Sequence, residues 1–174
     1  MAGNFSGREE VSAICIIDTS VFLNILNVPG KNDRYEEMMG AFKDYISCGA
    51  SFILPMATII ETGNHIAQNG DGDLRRETAK RFCDLVKDSM ENTAPFRVSA
   101  FPTPHEVLEW LDTFPDHAGR NKKIGEGTSL GDLSIIEEFN KCRRVSSMSE
   151  IFIWSLDADL EAYHFKPAIP RRHN

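Results

Sequence analysis

Apolar residues recur along this chain in short unbroken runs and in patches at helical spacing. The run Ile14, Cys15, Ile16 and Ile17 has no polar alternation. It reads as a strand buried on both faces, as in a parallel sheet covered by helices. Asp18, Thr19 and Ser20 then interrupt the pattern, before Val21, Phe22, Leu23, Ile25 and Leu26 resume it at helical spacing. This predicts a helix that Ser20 can cap. Asp18 is thereby set at the carboxyl end of a buried strand, the edge at which open parallel sheets bind ligands. A lone acid there reads equally well as a helix cap.

The remaining pattern extends the same alternation. Asp33 can cap a helix carrying Tyr35, Met38, Met39, Phe42, Tyr45 and Ile46, ended by Gly49. Residues 51–55, "SFILP", predict a second buried strand, and helices follow over about 57–68 and 74–90. In the latter, Leu74, Phe82, Leu85, Val86 and Met90 are expected inward. Residues 96–101 give a weaker strand, and Pro104 opens a helix with Val107, Leu108, Trp110 and Leu111. A polar loop over 117–131 leads to a helix at 132–142, a strand at 151–156 and a short helix at 158–164. Strands alternating with helices predict an α/β fold, a three-layer α/β/α sandwich with a mainly parallel central sheet. No repeat or linker divides the chain, so one domain over 1–174 is expected, with its core at about 11–165.

Three further acids repeat the oddity of Asp18. Glu61 lies in "ATIIETGNHIA" among Met56, Ile59, Ile60 and Ile66. A charge in a buried apolar helix is costly unless it is paired or bound to a cation. Asp132 opens a helix beside Leu133, Ile135 and Ile136, and Asp157 ends the strand "IFIWSL", with Asp159 two residues on. Singly, each has an ordinary reading as a cap, a first-turn acid or a surface residue. If the fold brings them together, their mutual repulsion demands a cation. Hard oxygen donors without a histidine or thiol cluster point to Mg2+ or Mn2+. Glu61 and His65 have a spacing that zinc sites use, but neither an HExxH pattern nor cysteine partners accompany it, and zinc is discounted.

Composition adds limits. The 174 residues are 41% hydrophobic and 26% charged, enough for one sizeable core. A formal net charge of -7 argues against strong nonspecific affinity for nucleic acid, but leaves room for local basic patches. Cys15, Cys48, Cys83 and Cys142 form no CxxC pair, so a reducing compartment is favoured. The start "MAGNFSGREE" has no apolar stretch of signal type, and no segment is long enough to span a bilayer, so a cytoplasmic location is expected.

The ordered set "IIDTSVFLNIL", "ATIIETGNHIA", "TSLGDLSII" and "WSLDADL" resembles the four acidic motifs of PIN domains. That resemblance implies an α/β/α sandwich and a metal-dependent ribonuclease acting on RNA, with toxins of toxin–antitoxin pairs among its relatives. It would make Asp18, Glu61, Asp132 and Asp157 the catalytic and metal-holding acids, Asp159 an auxiliary ligand, and Thr19 and Ser20 the usual hydroxyls after the first acid, candidates to bind a metal-bound water or a phosphate oxygen of the substrate. The longer stretch between Glu61 and Asp132 and the poor final strand depart from compact toxin members. An antitoxin or other inhibitory partner and a homo-oligomer are the partners it suggests.

For the substrate backbone, Arg120, Lys122 and Lys123 lie in a loop leading into Thr128 and Ser129, and together these are candidate phosphate contacts. The group Arg75, Arg76, Lys80 and Arg81 reads as a solvated helix face, and Trp110, Phe114 and Trp154 read as core. Two other classes compete with the nuclease. A haloacid-dehalogenase-like phosphatase would need a second Asp where Ser20 stands. A non-catalytic PIN-like module binding nucleic acid or organising an assembly would be indicated by loss of acids, yet all four positions are filled.

Overall fold

The computed structural model describes residues 12–120 and 126–168. In chain order its elements are β1 (Ala13–Ile17), α1 (Thr19–Ile25), α2 (Tyr35–Ser47), β2 (Ser51–Leu54), α3 (Met56–Ala67), α4 (Gly72–Met90), β3 (Phe96–Val98), α5 (Pro104–Ala118), α6 (Leu130–Val145), β4 (Glu150–Trp154), α7 (Ala158–Glu161) and β5 (His164–Phe165). The sheet order is β3-β2-β1-β4-β5. All pairings are parallel except β4 with β5, which is antiparallel.

β1 is the central strand because its side chains are apolar on both faces. Cys15 and Ile17 join the aromatic side of the core with Phe22, Phe42, Phe52 and Phe96. Ile16 joins the opposite side with Ile135, Ile136 and Phe139 of α6. The two-residue period of a strand thus feeds two cores, and α1, α2 and α4 cover one face while α6 covers the other. This is a three-layer α/β/α sandwich. On the first face Phe42 stacks on Phe96 at 5.3 Å, and Phe22 meets the same ring edge-on at 5.7 Å. Such pairs contribute about 0.5–1.5 kcal/mol each beyond the area they bury.

The strand order determines where a site can form. From β1 the chain winds outward through β2 and β3, then crosses back to place β4 on the other side of β1. The winding reverses between β1 and β4, and a crevice opens there at the carboxyl ends of the strands. Asp18 follows β1 and Asp157 follows β4 by three residues, so both acids stand at that crevice. Thr58, fully buried in α3, donates its hydroxyl to the Ile17 carbonyl at 2.8 Å and fixes α3 against the same edge.

Several expected details differ. The cap of α1 is Asp18, whose side chain accepts from Ser20 N, and Ser20 lies within the helix. Arg34, whose side chain pairs with Glu37 and makes no capping bond, occupies the cap position of α2 in place of Asp33. The end of α2 does use Gly49, at φ 74°, with Gly49 N on Ile46 O and Ala50 N on Tyr45 O. α6 starts at Leu130, two residues earlier than expected, because Ser129 and Asp132 form a reciprocal capping box. α3 is only partly covered, with Ile60 57% exposed, and Met90 of α4 is exposed as well. No residue of α5 is buried, so Trp110 and Phe114 are half-covered surface residues, whereas Trp154 is in the core. No helix among the described residues is long and apolar enough to cross a membrane.

Candidate functional site

Asp18 is a carboxylate only 6% exposed, and its burial requires hydrogen-bond donors. Three converge on one oxygen: Ser20 N at 3.2 Å, Ser20 Oγ at 2.6 Å and Ser155 Oγ at 2.8 Å reach Oδ2. The Ser20 hydroxyl accepts in turn from Leu156 N at 3.0 Å, and Ser155 Oγ accepts from Asp157 N at 2.9 Å. One hydroxyl network therefore ties the end of β1 to the end of β4. It sets Asp18 and Asp157 relative to each other.

The other two acids arrive from helices. Glu61, on α3, takes the Thr19 hydroxyl on Oε2 at 2.8 Å. Its Oε1 lies against Gly131 of α6, where a β-carbon would overlap it. Asp132, one residue further, takes its position from the capping box, with its own N–H on Ser129 Oγ at 3.0 Å. Gly127 packs so closely on the Ala118 carbonyl that a side chain there would also collide, which holds the loop entering α6 against the end of α5.

Together Asp18, Thr19, Ser20, Glu61, Asp132 and Asp157 line one cleft of about 280 Å³. Asp159 is not part of that lining. It donates its N–H to Asp157 Oδ1 at 2.9 Å, and its Oδ2 is buried without a hydrogen-bond partner among the described residues. Thr128 is buried away from the cleft with its N–H on the His117 carbonyl, and Ser129 serves as the α6 cap. Arg120 is exposed just past α5, while Lys122 and Lys123 lie outside the described residues. The hydroxyls of Thr19 and Ser20 are spent on Glu61 and Asp18, so they position acids.

Two further residues line the cleft, His65, noted in the sequence only for a zinc-like spacing from Glu61, and Lys31, which carried no motif. His65 stands one helical turn beyond Glu61, with Nδ1 buried and unpartnered among the described residues. Lys31 comes from the turn after α1 and is the one lysine or arginine among the described lining residues. Asn24, buried in α1, organises that turn by accepting the Arg34 N–H at 2.9 Å, and Asn27 and Gly30 give it two left-handed residues. A charged residue in a glycine turn looks like any surface lysine until the turn is folded back.

The donor set suits a hard divalent cation: four carboxylates from four separate segments, with no thiolate among the lining residues. Among the described residues no group of three or more histidine, cysteine, aspartate or glutamate side chains is already arranged to hold a metal ion. Like charges repel one another, so a bound cation is what would draw such a group together. Compared with known proteins, the sequence matches no protein-family model and no curated protein. The fold and cleft alone therefore define the class: an α/β/α sandwich with a carboxylate-lined crevice at its topological switch point.

Proposed function

We propose that the protein is a PIN-type endoribonuclease that hydrolyses RNA phosphodiester bonds with Mg2+ or Mn2+. The observation that carries this reading is the lining of one cleft by Asp18, Glu61, Asp132 and Asp157, drawn from four separate segments to one sheet edge. Asp18, Asp132 and Asp157 would hold the cation, with Asp159 behind Asp157. A divalent cation bound there polarises the phosphate and lowers the pKa of the attacking water. Glu61, oriented by Thr19, is the residue to take a proton from that water. Lys31 offsets negative charge on the phosphate, and Arg120 would hold the neighbouring backbone. A cytoplasmic location and an inhibitory protein partner of antitoxin type belong to the same proposal.

The test is cleavage of a labelled single-stranded RNA by the purified chain. Cleavage should stop in EDTA and return with excess Mg2+ or Mn2+. Turnover that persists in EDTA would remove the metal from the account. A chain that binds RNA but cleaves none with either metal would instead be a non-catalytic PIN-like module.

A further inference from the structure

Next to the carboxylate cleft lies a larger pocket of about 460 Å³, and Glu61 and Gly131 belong to its wall. Its other walls are α5, α6, the start of α3 and the segment 99–102. Two aromatic side chains belong to it, the half-exposed Trp110 and Phe101, which is 71% exposed. Aromatic surface held open to water beside a phosphodiester-cutting cleft is the arrangement on which unstacked bases of single-stranded RNA settle. The volume falls in the range of small-ligand pockets and admits a purine base with its ribose.

The charges select what enters. Glu106, Glu109, Glu137 and Glu138 outnumber Lys141 and Arg144 on the wall, which repels phosphate and favours a neutral group rich in N–H donors. Three of these acids are already engaged. Glu106 takes Thr103 and Lys141, which hold its carboxyl down at about 2, Glu137 accepts from Asn140, and Glu109 faces His105 at 3.9 Å. Glu138 enters none of the bonds found among the described residues. It is half-buried, and burial raises its carboxyl above the usual range. A carboxylate there is stabilised by two parallel donors from a ligand. Among the four RNA bases guanine alone presents such a pair on its Watson–Crick edge, N1–H beside the 2-amino group. Adenine and cytosine place an acceptor nitrogen beside their amine, and uracil has a single N–H between two carbonyls.

We propose that this pocket is a base-recognition subsite for an unstacked guanine next to the bond being cut, with Glu138 accepting from N1–H and the 2-amino group and Trp110 and Phe101 supplying the stacking surface. Its choice of RNA as ligand rests on the ribonuclease reading, but the pocket itself requires no metal.

Binding in EDTA isolates it. The full chain is titrated against 5′-labelled hexauridylate and against hexamers with one central guanine, adenine or cytosine, read by fluorescence polarisation. The guanine hexamer should bind about tenfold or more tighter than the others, the scale of one good bidentate base contact. Trp110→Ala should weaken it by about tenfold. Glu138→Gln keeps the shape of the wall but offers one donor and one acceptor, so the preference should move from guanine toward adenine. Equal affinity for all four hexamers, or a guanine preference unchanged in Glu138→Gln, would overturn the proposal. Metal-dependent cleavage without base preference would also overturn it while leaving the nuclease reading intact. Guanine selectivity that follows Glu138 in a chain with no cleavage would support the pocket and sink the nuclease.

Discussion

Asp18→Asn should lower RNA cleavage by more than about 100-fold, beyond the loss expected when an outer-shell partner of a metal ligand is removed. The fold should survive, because asparagine caps helices about as well as aspartate and its carbonyl can accept the donors that now converge on Oδ2. Without metal, the variant should melt at or above the parent temperature, since a charge 6% exposed has been removed from a cleft shared with three other acids. Added Mn2+ should then separate the two proteins. Ligand at a hundredfold excess over its Kd stabilises the parent by about 2.7 kcal/mol, and the variant should gain much less. Thermal melts with and without Mn2+, run beside the cleavage assay, decide this. A variant with parental activity and parental metal response would reduce Asp18 to a helix cap.

Gly131→Ala should leave the protein folded and inactive. Residue 131 is in the first turn of α6, where alanine in place of glycine favours the helix by up to about 1 kcal/mol. The added methyl overlaps only the end of the flexible Glu61 side chain, so the helix stays and the carboxylate moves. The melting temperature should therefore lie within about 2–4 °C of the parent. Cleavage should fall about 100-fold, the scale of an ångström-sized misplacement of a reacting group. A lower melting temperature with unchanged turnover would mean that Glu61 does no chemistry where it now sits.

The parts of this fold legible in the sequence were those written in local pattern. A run apolar on both faces, as in β1, marks a central parallel strand, and acids just past such runs fall at its carboxyl edge wherever the chain leads. The capping residues were less legible, because Asp18 and Ser20 are both good caps and the choice between them is tertiary. Ser20 is drawn inward by Leu156 N, a group 136 residues away in the chain. The early start of α6 was present as Ser129 with Asp132 three residues later, a capping signature that the glycine between them masked. Amphipathic spacing marks a face but not what covers it, which is why Trp110 and Phe114 looked like core yet are only partly covered, Trp110 at the wall of a pocket. Lys31 could not be read at all, since its approach to the cleft depends on how the turn after α1 folds back.

The central claim is that Asp18, Asp132 and Asp157 hold a divalent cation beside Glu61, and the most direct measurement is an anomalous difference map from crystals grown with saturating Mn2+. The account predicts a peak inside the cleft, within coordination distance of Asp18 and at least one of Asp132 and Asp157, and no such peak in crystals of Asp18→Asn. A clean map at the cleft of the parent protein, or a peak that persists undiminished in Asp18→Asn, would contradict it.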